Sequence, residues 1–437
     1  MKRLGIVTCL LILFMLPVGL FANGLSLNSI GPKSLGMGGA FVGLADDYTA
    51  LYWNPAGLIH LDGAYVGIFV TDIIPMATYK YDAVGIDAKS KINHYASPNL
   101  MGYWTCRLND KLKMGLGVYV PAGLGVEWEG KDLMAFTMVD ANGDGVPDTP
   151  MGPYEWMSKI GVVNLSPAIS FKATEKLSLG LAVNIFYGMF DLKRPATLRD
   201  PMTGAVAGFA QYSESSNGLG YGVTLGMLYK YSERFHFGLS FRTKMNVTMS
   251  GEAENPGMAA AGFATKSDFD RDVAWPMWIG GGVAIMPTDK FTLTADLQWS
   301  QWKESEETFV TKFKDAAWKA GSEATGENIF HLYWENALQI RLGAEYKLNE
   351  DMAVRGGWYY DPAPAPDKTY NILFPSITYN AFTLGGSYRM SALRFDAGLE
   401  YLYGQERVIE SPGEYNAVPG THNMDIFAFS LGVGYQF

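Results

Sequence analysis

The sequence has no continuous apolar stretch of the roughly 20 residues that a membrane-spanning helix requires. Its main apolar run, Leu10 to Phe21, follows Lys2-Arg3 and precedes the small residue Ala22. This is the pattern of a cleaved secretory signal. We therefore expect residues 1–22 to be a signal peptide, and the pattern argues against a helical membrane protein.

Cysteine, charge and catalytic motifs are also scarce. Cys9 lies in the predicted signal, so that Cys106 alone remains in the mature chain and no intrachain disulfide can form. The net charge of −10 argues against a nucleic-acid partner. We find no Gly-x-Ser-x-Gly, no His-Glu-x-x-His and no phosphate-binding glycine–lysine loop. We therefore expect neither enzymatic activity nor an organic cofactor.

Alternating apolar and small or polar residues characterise the C-terminus. The even positions of its last strand are small or polar, and the odd positions are Phe427, Phe429, Leu431, Val433, Tyr435 and Phe437. One face suits lipid and the other suits a wet or plugged interior, which is typical of a transmembrane β-barrel wall. A soluble β-sandwich or propeller would also alternate. The signal and the aromatic end favour the barrel.

The connections alternate between short polar turns and long loops. Each short turn closes a hairpin, and the six short turns are residues 108–111, 173–176, 231–234, 287–290, 348–351 and 389–392. The long loops are expected near residues 75–93, 125–158, 193–214, 252–268, 304–330, 361–378 and 405–422. The sequence therefore predicts an all-β, fourteen-stranded antiparallel barrel over residues 63–437. Its N- and C-termini lie on the short-turn side, which is periplasmic in outer-membrane barrels.

Residues 23–62 do not alternate, because glycines interrupt every long pattern. Three motifs stand there, Gly24-Leu25-Ser26-Leu27-Asn28, Ala45-Asp46-Asp47 and Asn54-Pro55-Ala56-Gly57-Leu58. The chain thereby resembles the FadL/TodX-type family of Gram-negative outer-membrane channels for long-chain fatty acids and other hydrophobic compounds. The resemblance implies that residues 23–62 are a partly helical hatch inside the barrel, with Asn54, Pro55 and Ala56 in it.

Physical chemistry gives the same hatch residues local roles. Asp46 or Asp47 can cap a short helix from Tyr48 to Trp53. Pro55 would end that helix, and Asn54 can form a turn with its own backbone. These residues either shape the plug or belong to a part that moves when ligand binds, and the sequence leaves both alternatives open.

The third strand contains Pro121, with Gly123 and Gly125 just after it. Proline donates no ladder hydrogen bond, and a closed barrel has no free edge where it can be accommodated. The strand must therefore kink, bulge or end there. The resemblance implies an inward kink that opens a lateral exit for substrate, whereas the alternative is that Pro121 marks the rim.

Two sets of residues are candidates for binding a hydrophobic ligand. Apolar loop residues often bind something, and the candidates are Phe209 and Tyr212 in the loop after strand five with Met258 and Phe263 in the loop after strand seven. These residues could equally form a self-packed lid. Arg242 and Arg341 lie on the lumen-facing phase near the middle of their strands and could meet a fatty-acid carboxylate. The alternative for both is a network of salt bridges between wall and plug.

One loop carries a calcium-binding pattern. Oxygen side chains stand at positions 1, 3, 5 and 9 and a glycine at position 6, and the predicted ligands are Asp140, Asn142, Asp144, Asp148 and the Val146 carbonyl. Met151 replaces the usual twelfth-position glutamate. We expect weak Ca²⁺ binding in the roughly millimolar range of extracellular modules, or otherwise a solvated acidic turn.

Together these features predict a monomeric, plugged barrel in lipid of the Gram-negative outer membrane. It would take up long-chain fatty acids or other hydrophobic small molecules passively, be gated by the hatch and release substrate near the strand-three kink. The alternative is a structural porin or adhesin-type barrel without specific hydrophobic transport.

Overall fold

A computed structural model describes residues 24–106, 111–199, 203–305, 307–410, 415 and 417–437. The predicted signal peptide, residues 1–22, and positions 108–110 of the first predicted turn lie outside the described residues.

Within the described chain, fourteen antiparallel strands form the wall of a barrel. They are β1 (Tyr65–Tyr81), β2 (Tyr95–Thr105), β3 (Leu112–Trp128), β4 (Trp156–Lys172), β5 (Leu177–Arg199), β6 (Val206–Ser232), β7 (Phe235–Arg242 and Met245–Glu254), β8 (Lys266–Trp275 and Trp278–Thr288), β9 (Phe291–Ser300), β10 (Ala337–Lys347), β11 (Met352–Asp361), β12 (Tyr379–Met390), β13 (Leu393–Gly404) and β14 (Gly420–Gln436). The last strand pairs with the first from Tyr65 opposite Gln436 to Lys80 opposite Thr421. The predicted fourteen-stranded closed barrel is confirmed.

The two-residue period determines which side chains face inward. In β9, Thr292, Thr294, Asp296 and Gln298 are buried, whereas Leu293 and Leu297 are exposed on the outer wall. A polar inner face and an apolar outer face are what a lipid-embedded barrel requires. The lumen-facing positions predicted from the alternation are therefore correct in this strand.

The expected loop at 193–214 is wrong in extent. β5 continues to Arg199 and β6 begins at Val206, and the two strands pair along this stretch from Lys193 opposite Ser213 to Leu198 opposite Gly208. A strand that leaves lipid no longer needs apolar outward residues, and backbone pairing alone can continue it. The alternating signal therefore stopped before the strands did.

Helices and minor strands lie in the N-terminal segment and the long loops. The α-helices are α1 (Pro32–Gly36), α2 (Ala50–Trp53) and α3 (Ala316–Thr325), and the 3₁₀ turns are Pro55–His60, Asp82–Val84, Gly130–Thr137, Pro256–Ala261, Trp302–Glu304 and Asp367–Thr369. The minor strands are Ile86–Lys89, Met138–Val139, Thr149–Pro150, Thr308–Val310, Lys312–Phe313, Ile329–His331 and Arg407–Ile409. None of the described helices is long and apolar enough to cross a membrane.

Two segments fill the interior. The hatch, here residues 24–62, packs its apolar residues against the inner wall, for example Leu51 and Trp53 in one cluster with Tyr119 and Trp278. The connection between β11 and β12, residues 362–378, enters from the opposite end and contributes Phe374 to a second apolar cluster. This segment is called the inserted loop. The lumen is therefore occupied from both ends.

Candidate functional site

Asp296 of β9 holds the centre of the hatch. Its Oδ2 accepts hydrogen bonds from the backbone N–H groups of Phe41 and Val42, each at 2.8 Å. Next to them, a Cβ on Gly43 would lie 2.6 Å from the backbone of Gly282 in β8. A carboxylate that accepts two backbone N–H groups is a strong anchor, and the glycine lets the hatch approach the wall closely.

Asn54 joins two parts of the hatch to the wall. Its Nδ2 donates to the carbonyl of Val42 at 2.9 Å and to that of Met227 in β6 at 3.0 Å, while its Oδ1 accepts from Ala56 N–H.

Pro55 begins a 3₁₀ turn instead of only ending a helix. The expected helix from Tyr48 is shorter, since α2 begins at Ala50.

Asp46 and Asp47 differ in exposure and role. Asp46 is exposed and its carboxylate accepts from the Lys33 ammonium at 2.7 Å. Asp47 is buried and its Oδ1 accepts from the backbone N–H of Thr49 at 2.8 Å and from its hydroxyl at 2.6 Å. Burial raises the pKa of Asp47, although Lys33 and Arg394 act in the opposite direction. Asp47 therefore stabilises the turn that precedes α2 through its hydrogen bonds to Thr49.

The two candidate arginines both contact the hatch. Arg242 Nη2 donates to the Tyr52 carbonyl at 3.1 Å, and its guanidinium lies 4.3 Å from the centroid of the Tyr52 ring. Arg341 Nη1 donates to the Gly38 carbonyl at 2.9 Å, and its other nitrogens donate to Gln339 Oε1. Both arginines line one small cavity of about 20 Å³. Each arginine therefore donates to a hatch carbonyl, and Arg341 also donates to Gln339 in its own strand.

A charged network lies deeper towards the short-turn end. Arg355 Nε donates to Glu345 Oε2 at 2.6 Å, and Lys33 of the hatch lies 3.6 Å from the same oxygen. Arg355 also approaches Asp396, whose other oxygen accepts from Arg394 at 2.9 Å. Salt bridges therefore join the plug to the wall, as one of the two interpretations of the sequence predicted. The basic residues that form them are Lys33, Arg355 and Arg394 instead of Arg242 and Arg341.

The ladder between β2 and β3 stops partway up the wall. Among the described residues, pairing of these strands ends with Leu100 opposite Val118. Near the long-loop end the two sides meet again, where Lys91 N–H donates to the Glu127 carbonyl at 2.7 Å and Ser90 bridges Trp128. Between these contacts, residues 94–99 face residues 119–126 across a gap that we call the wall window.

Pro121 lies at this window, and the strand does not end there. β3 continues to Trp128 after a register shift against β4 between Tyr119 and Ala122. The hatch takes the place of the missing neighbour: Leu27 N–H donates to the Pro121 carbonyl at 3.0 Å, and Gly123 N–H donates to the Leu25 carbonyl at 2.9 Å. The kinked strand thus turns inward to pair with the plug.

The ring of Tyr95 crosses the window from β2 to Gly125. A Cβ on Gly125 would lie 2.5 Å from the Tyr95 hydroxyl oxygen. A second bridge is the hydrogen bond of 2.8 Å from Val120 N–H to Asn99 Oδ1. Side chains instead of backbone ladder bonds therefore reach across this part of the wall.

A cavity of about 340 Å³ lies behind the window. At its inner end it is lined by hatch residues such as Ser26 and by Glu400 and Leu402 of β13, and at its outer end by Ala96 and by Met189 of the outer wall. Most of its remaining lining is apolar. The inserted loop closes it from above with Ser376 and Ile377.

Backbone carbonyls hold the inserted loop in place. Trp128 Nε1 donates to the Ile372 carbonyl at 3.0 Å, and the Ser158 hydroxyl donates to the Leu373 carbonyl. The Phe374 ring packs within 6 Å of the Phe190 ring. The sequence analysis predicted this connection as a long loop but not its insertion into the lumen, although the apolar run Ile372 to Pro375 was a signal for it.

The loop candidates for ligand binding are only partly in loops. Phe209 and Tyr212 belong to β6, so their placement in a loop after strand five is wrong. Tyr212 donates to Glu214 at 2.5 Å, inside a buried pair with Arg271. Met258 lies in the 3₁₀ turn after β7 and packs on the apolar cluster, and Phe263 beyond that turn is half exposed.

The predicted calcium ligands lie in one exposed loop. The Asp140 carboxylate accepts from the N–H groups of Gly143 and Gly145, both at 2.7 Å. Asp144 Oδ1 accepts from Val146 N–H, and Asn142 Nδ2 donates to Asp144 Oδ2. Asp148 accepts from the Thr149 hydroxyl. No group of three or more His, Cys, Asp or Glu within the described residues is arranged to hold a metal, and Ca²⁺ binding stays a prediction.

Comparisons with known proteins agree with this geometry. The family model described as outer membrane protein transport protein (OMPP1/FadL/TodX) matches residues 19–437. A long-chain fatty acid transport protein of Salmonella typhi is 22% identical over 431 residues, which cover 91% of this chain and 91% of that protein.

Solved structures share the fold. The FadL homologue of Pseudomonas aeruginosa has a TM-score of 0.77 at 17% identity, covering 95% of this chain and all of that one. The toluene transporter TodX of Pseudomonas putida has a TM-score of 0.68 at 18% identity, covering 94% and 99%. By the extent of the family match, the chain belongs to the OMPP1/FadL/TodX family of outer-membrane transport proteins.

Proposed function

We propose that this protein is a passive outer-membrane channel for long-chain fatty acids or related hydrophobic molecules, which leave the lumen sideways through the wall window. The observation that carries this proposal is the cavity that runs from hatch residues to the outer wall between β2 and β3. Apolar ligands favour concave, mostly apolar sites of this kind. The names of the relatives support the same class of substrate.

The hatch and the inserted loop support transport of apolar molecules over free diffusion of solutes. Asp296 and Asn54 fix the hatch to the wall, and Trp128 holds the inserted loop across the other end. Water-filled porins keep an open polar channel. A lumen occupied from both ends therefore favours the proposed route over the porin or adhesin alternative.

The orientation follows from the turns. Short turns lie on the periplasmic side of outer-membrane barrels and long loops on the outer side. We place Tyr65 and Gln436, which pair at the short-turn end, in the periplasm. The hatch would then close the periplasmic part of the lumen and the inserted loop the outer part, with the window between them facing lipid.

Uptake into proteoliposomes tests the proposal. Ala122 is buried and lines the cavity, so Ala122→Trp should fill it and slow oleate uptake, without opening a path for glucose. Ala397→Trp is the matched control, because Ala397 faces outward on β13. Deletion of residues 25–60 should let both solutes leak. A wild-type protein that neither binds nor passes oleate would overturn the proposal.

A further inference from the structure

One acidic residue occupies a lipid-facing position of the wall. Asp72 continues the outward phase of Val66, Ile68 and Val70 in β1 and stands opposite Phe429 of β14. It is nevertheless only 6% exposed. A charged side chain on the lipid face costs free energy unless it is paired. The position therefore requires a partner.

His94 is that partner. Its Nδ1 lies 2.6 Å from Asp72 Oδ2. Oδ1 of Asp72 has no hydrogen-bond partner in the described chain. The His94 side chain is 62% exposed, and the structure records no described partner for its Nε2. Asp72 therefore fixes the imidazole through Nδ1 and leaves Nε2 available to a ligand at the window.

His94 lies almost level with outward aromatic residues of the neighbouring strands. His94 directly precedes Tyr95, which pairs with Ile73. The next residue of β1, Ile74, stands opposite Phe427, which in turn stands opposite Tyr401 of β13. Outward aromatic residues mark the membrane interface. We take this level as the outer membrane interface, so that an acyl chain in the outer leaflet would place its polar head beside His94.

Charge is distributed unevenly along the cavity. The buried carboxyl groups of Glu400 and Asp361 line its inner end, and the exposed side chains of His94 and Lys159 line its outer end. An anion is attracted to the ammonium group of Lys159 at the outer end. An acid in the cavity would therefore lie with its carboxylate at the window and its apolar chain inside.

We propose that the imidazolium form of His94, oriented by Asp72 and assisted by Lys159, binds the carboxylate of an amphipathic acid in the wall window. The site would make the protein prefer acids to neutral esters and hydrocarbons. The inference rests on the proposed function, because it takes the cavity to be the substrate route. Asp72 is a positioning residue, since it acts through His94.

Binding of oleate and of methyl oleate to the full chain in uncharged-lipid nanodiscs distinguishes the two ligand classes. His94→Gln should weaken oleate binding roughly tenfold to hundredfold, the worth of a hydrogen bond to a charged group. Methyl oleate binding should change less than about twofold, because the ester carries no charge to lose. Lys159→Gln and Asp72→Asn should give smaller losses with the same acid selectivity. His331→Gln, in a short strand of a long loop, is the matched control.

Several outcomes would overturn the inference. Equal losses for acid and ester in every variant would mean a structural role only, and unchanged oleate binding in His94→Gln and Lys159→Gln would mean no headgroup site. If His94→Gln instead lowered retention of an anionic phospholipid and left oleate binding alone, the site would belong to resident lipid. Failure of the wild type to bind either ligand would count against the proposed function itself, which keeps the two failures distinct.

Discussion

The Asn54 amide nitrogen lies 3.0 Å from the backbone carbonyl oxygen of Met227 and donates a hydrogen bond to it. Asn54 is fully buried, and the wall glycine Gly226 stands beside it, where a Cβ would lie 2.3 Å from Asn54 Oδ1. A strand residue without a side chain thus admits the plug to hydrogen-bonding distance of the wall. This contact makes the hatch and the barrel one packed unit.

Asn54→Ala should loosen the hatch. It removes both donated hydrogen bonds and leaves buried carbonyls unsatisfied, which costs roughly 1–3 kcal/mol for each such group. We expect faster hydrogen exchange at residues 41–58 and a raised glucose leak in proteoliposomes. Asn246→Ala, at an exposed wall position, is the control. Unchanged exchange in Asn54→Ala would contradict this role.

Gly43→Ala should prevent the hatch from seating. The new Cβ would lie 2.6 Å from the Gly282 backbone, which cannot move aside as a side chain can. We expect increased proteolysis of the hatch, with the barrel strands still protected. Gly321→Ala in α3 meets open space and serves as the matched substitution. Equal protease resistance of the two variants would show that the close approach is dispensable.

Hatch stability should fall as pH rises because of Asp47. Burial raises its folded-state pKa above the ordinary value of 3.8, so the folded form holds the proton more tightly than the unfolded form. The stabilisation that Asp47 contributes is complete below its pKa in the unfolded chain. It is lost as the pH rises through its pKa in the folded protein. Protection factors at residues 47–53 should show this decline in the wild type, and Asp47→Asn should abolish it. An identical pH profile in both proteins would refute the assignment.

A double-mutant cycle should show that the buried residues Arg271 and Glu214 are energetically coupled. Arg271 Nη2 lies 2.8 Å from Glu214 Oε2, and both side chains are nearly inaccessible. Removing one partner leaves a buried charge and should cost about 3–5 kcal/mol, whereas replacing both by apolar residues should cost far less. Thermal unfolding of Arg271→Met, Glu214→Leu and the double variant measures the coupling. Additive losses would mean that the pair is not coupled.

Calcium binding by residues 140–148 can be tested without transport. Titration calorimetry of the folded protein should give a binding heat with a dissociation constant of about a millimolar. Asp140→Ala should remove it, since Asp140 organises the loop through Gly143 and Gly145. The exposed Asp82→Ala, in another connection, is the control. No heat up to several millimolar would disprove the site.

The wall could be derived from sequence because lipid imposes a two-residue period on every strand that crosses it. That period correctly predicted that Leu293 and Leu297 face outward and that Asp296 faces inward. It could not predict the ends of β5 and β6 next to their connection, where Phe209 and Tyr212 lie and the apolar alternation ends. Pro121 could be recognised as an irregularity, since a residue without an N–H cannot complete a ladder.

What the sequence by itself determined is local: strand number, the inward and outward faces, and the positions where glycine and proline interrupt them. Only the tertiary structure decided which distant groups meet. Arg341 was predicted as a cation for substrate but donates to Gly38 of the hatch, and nothing in the sequence pairs His94 with Asp72, which β1 places beside it. Barrel closure and the insertion of loops bring such groups together, and the periodicity of a single strand carries no information about them.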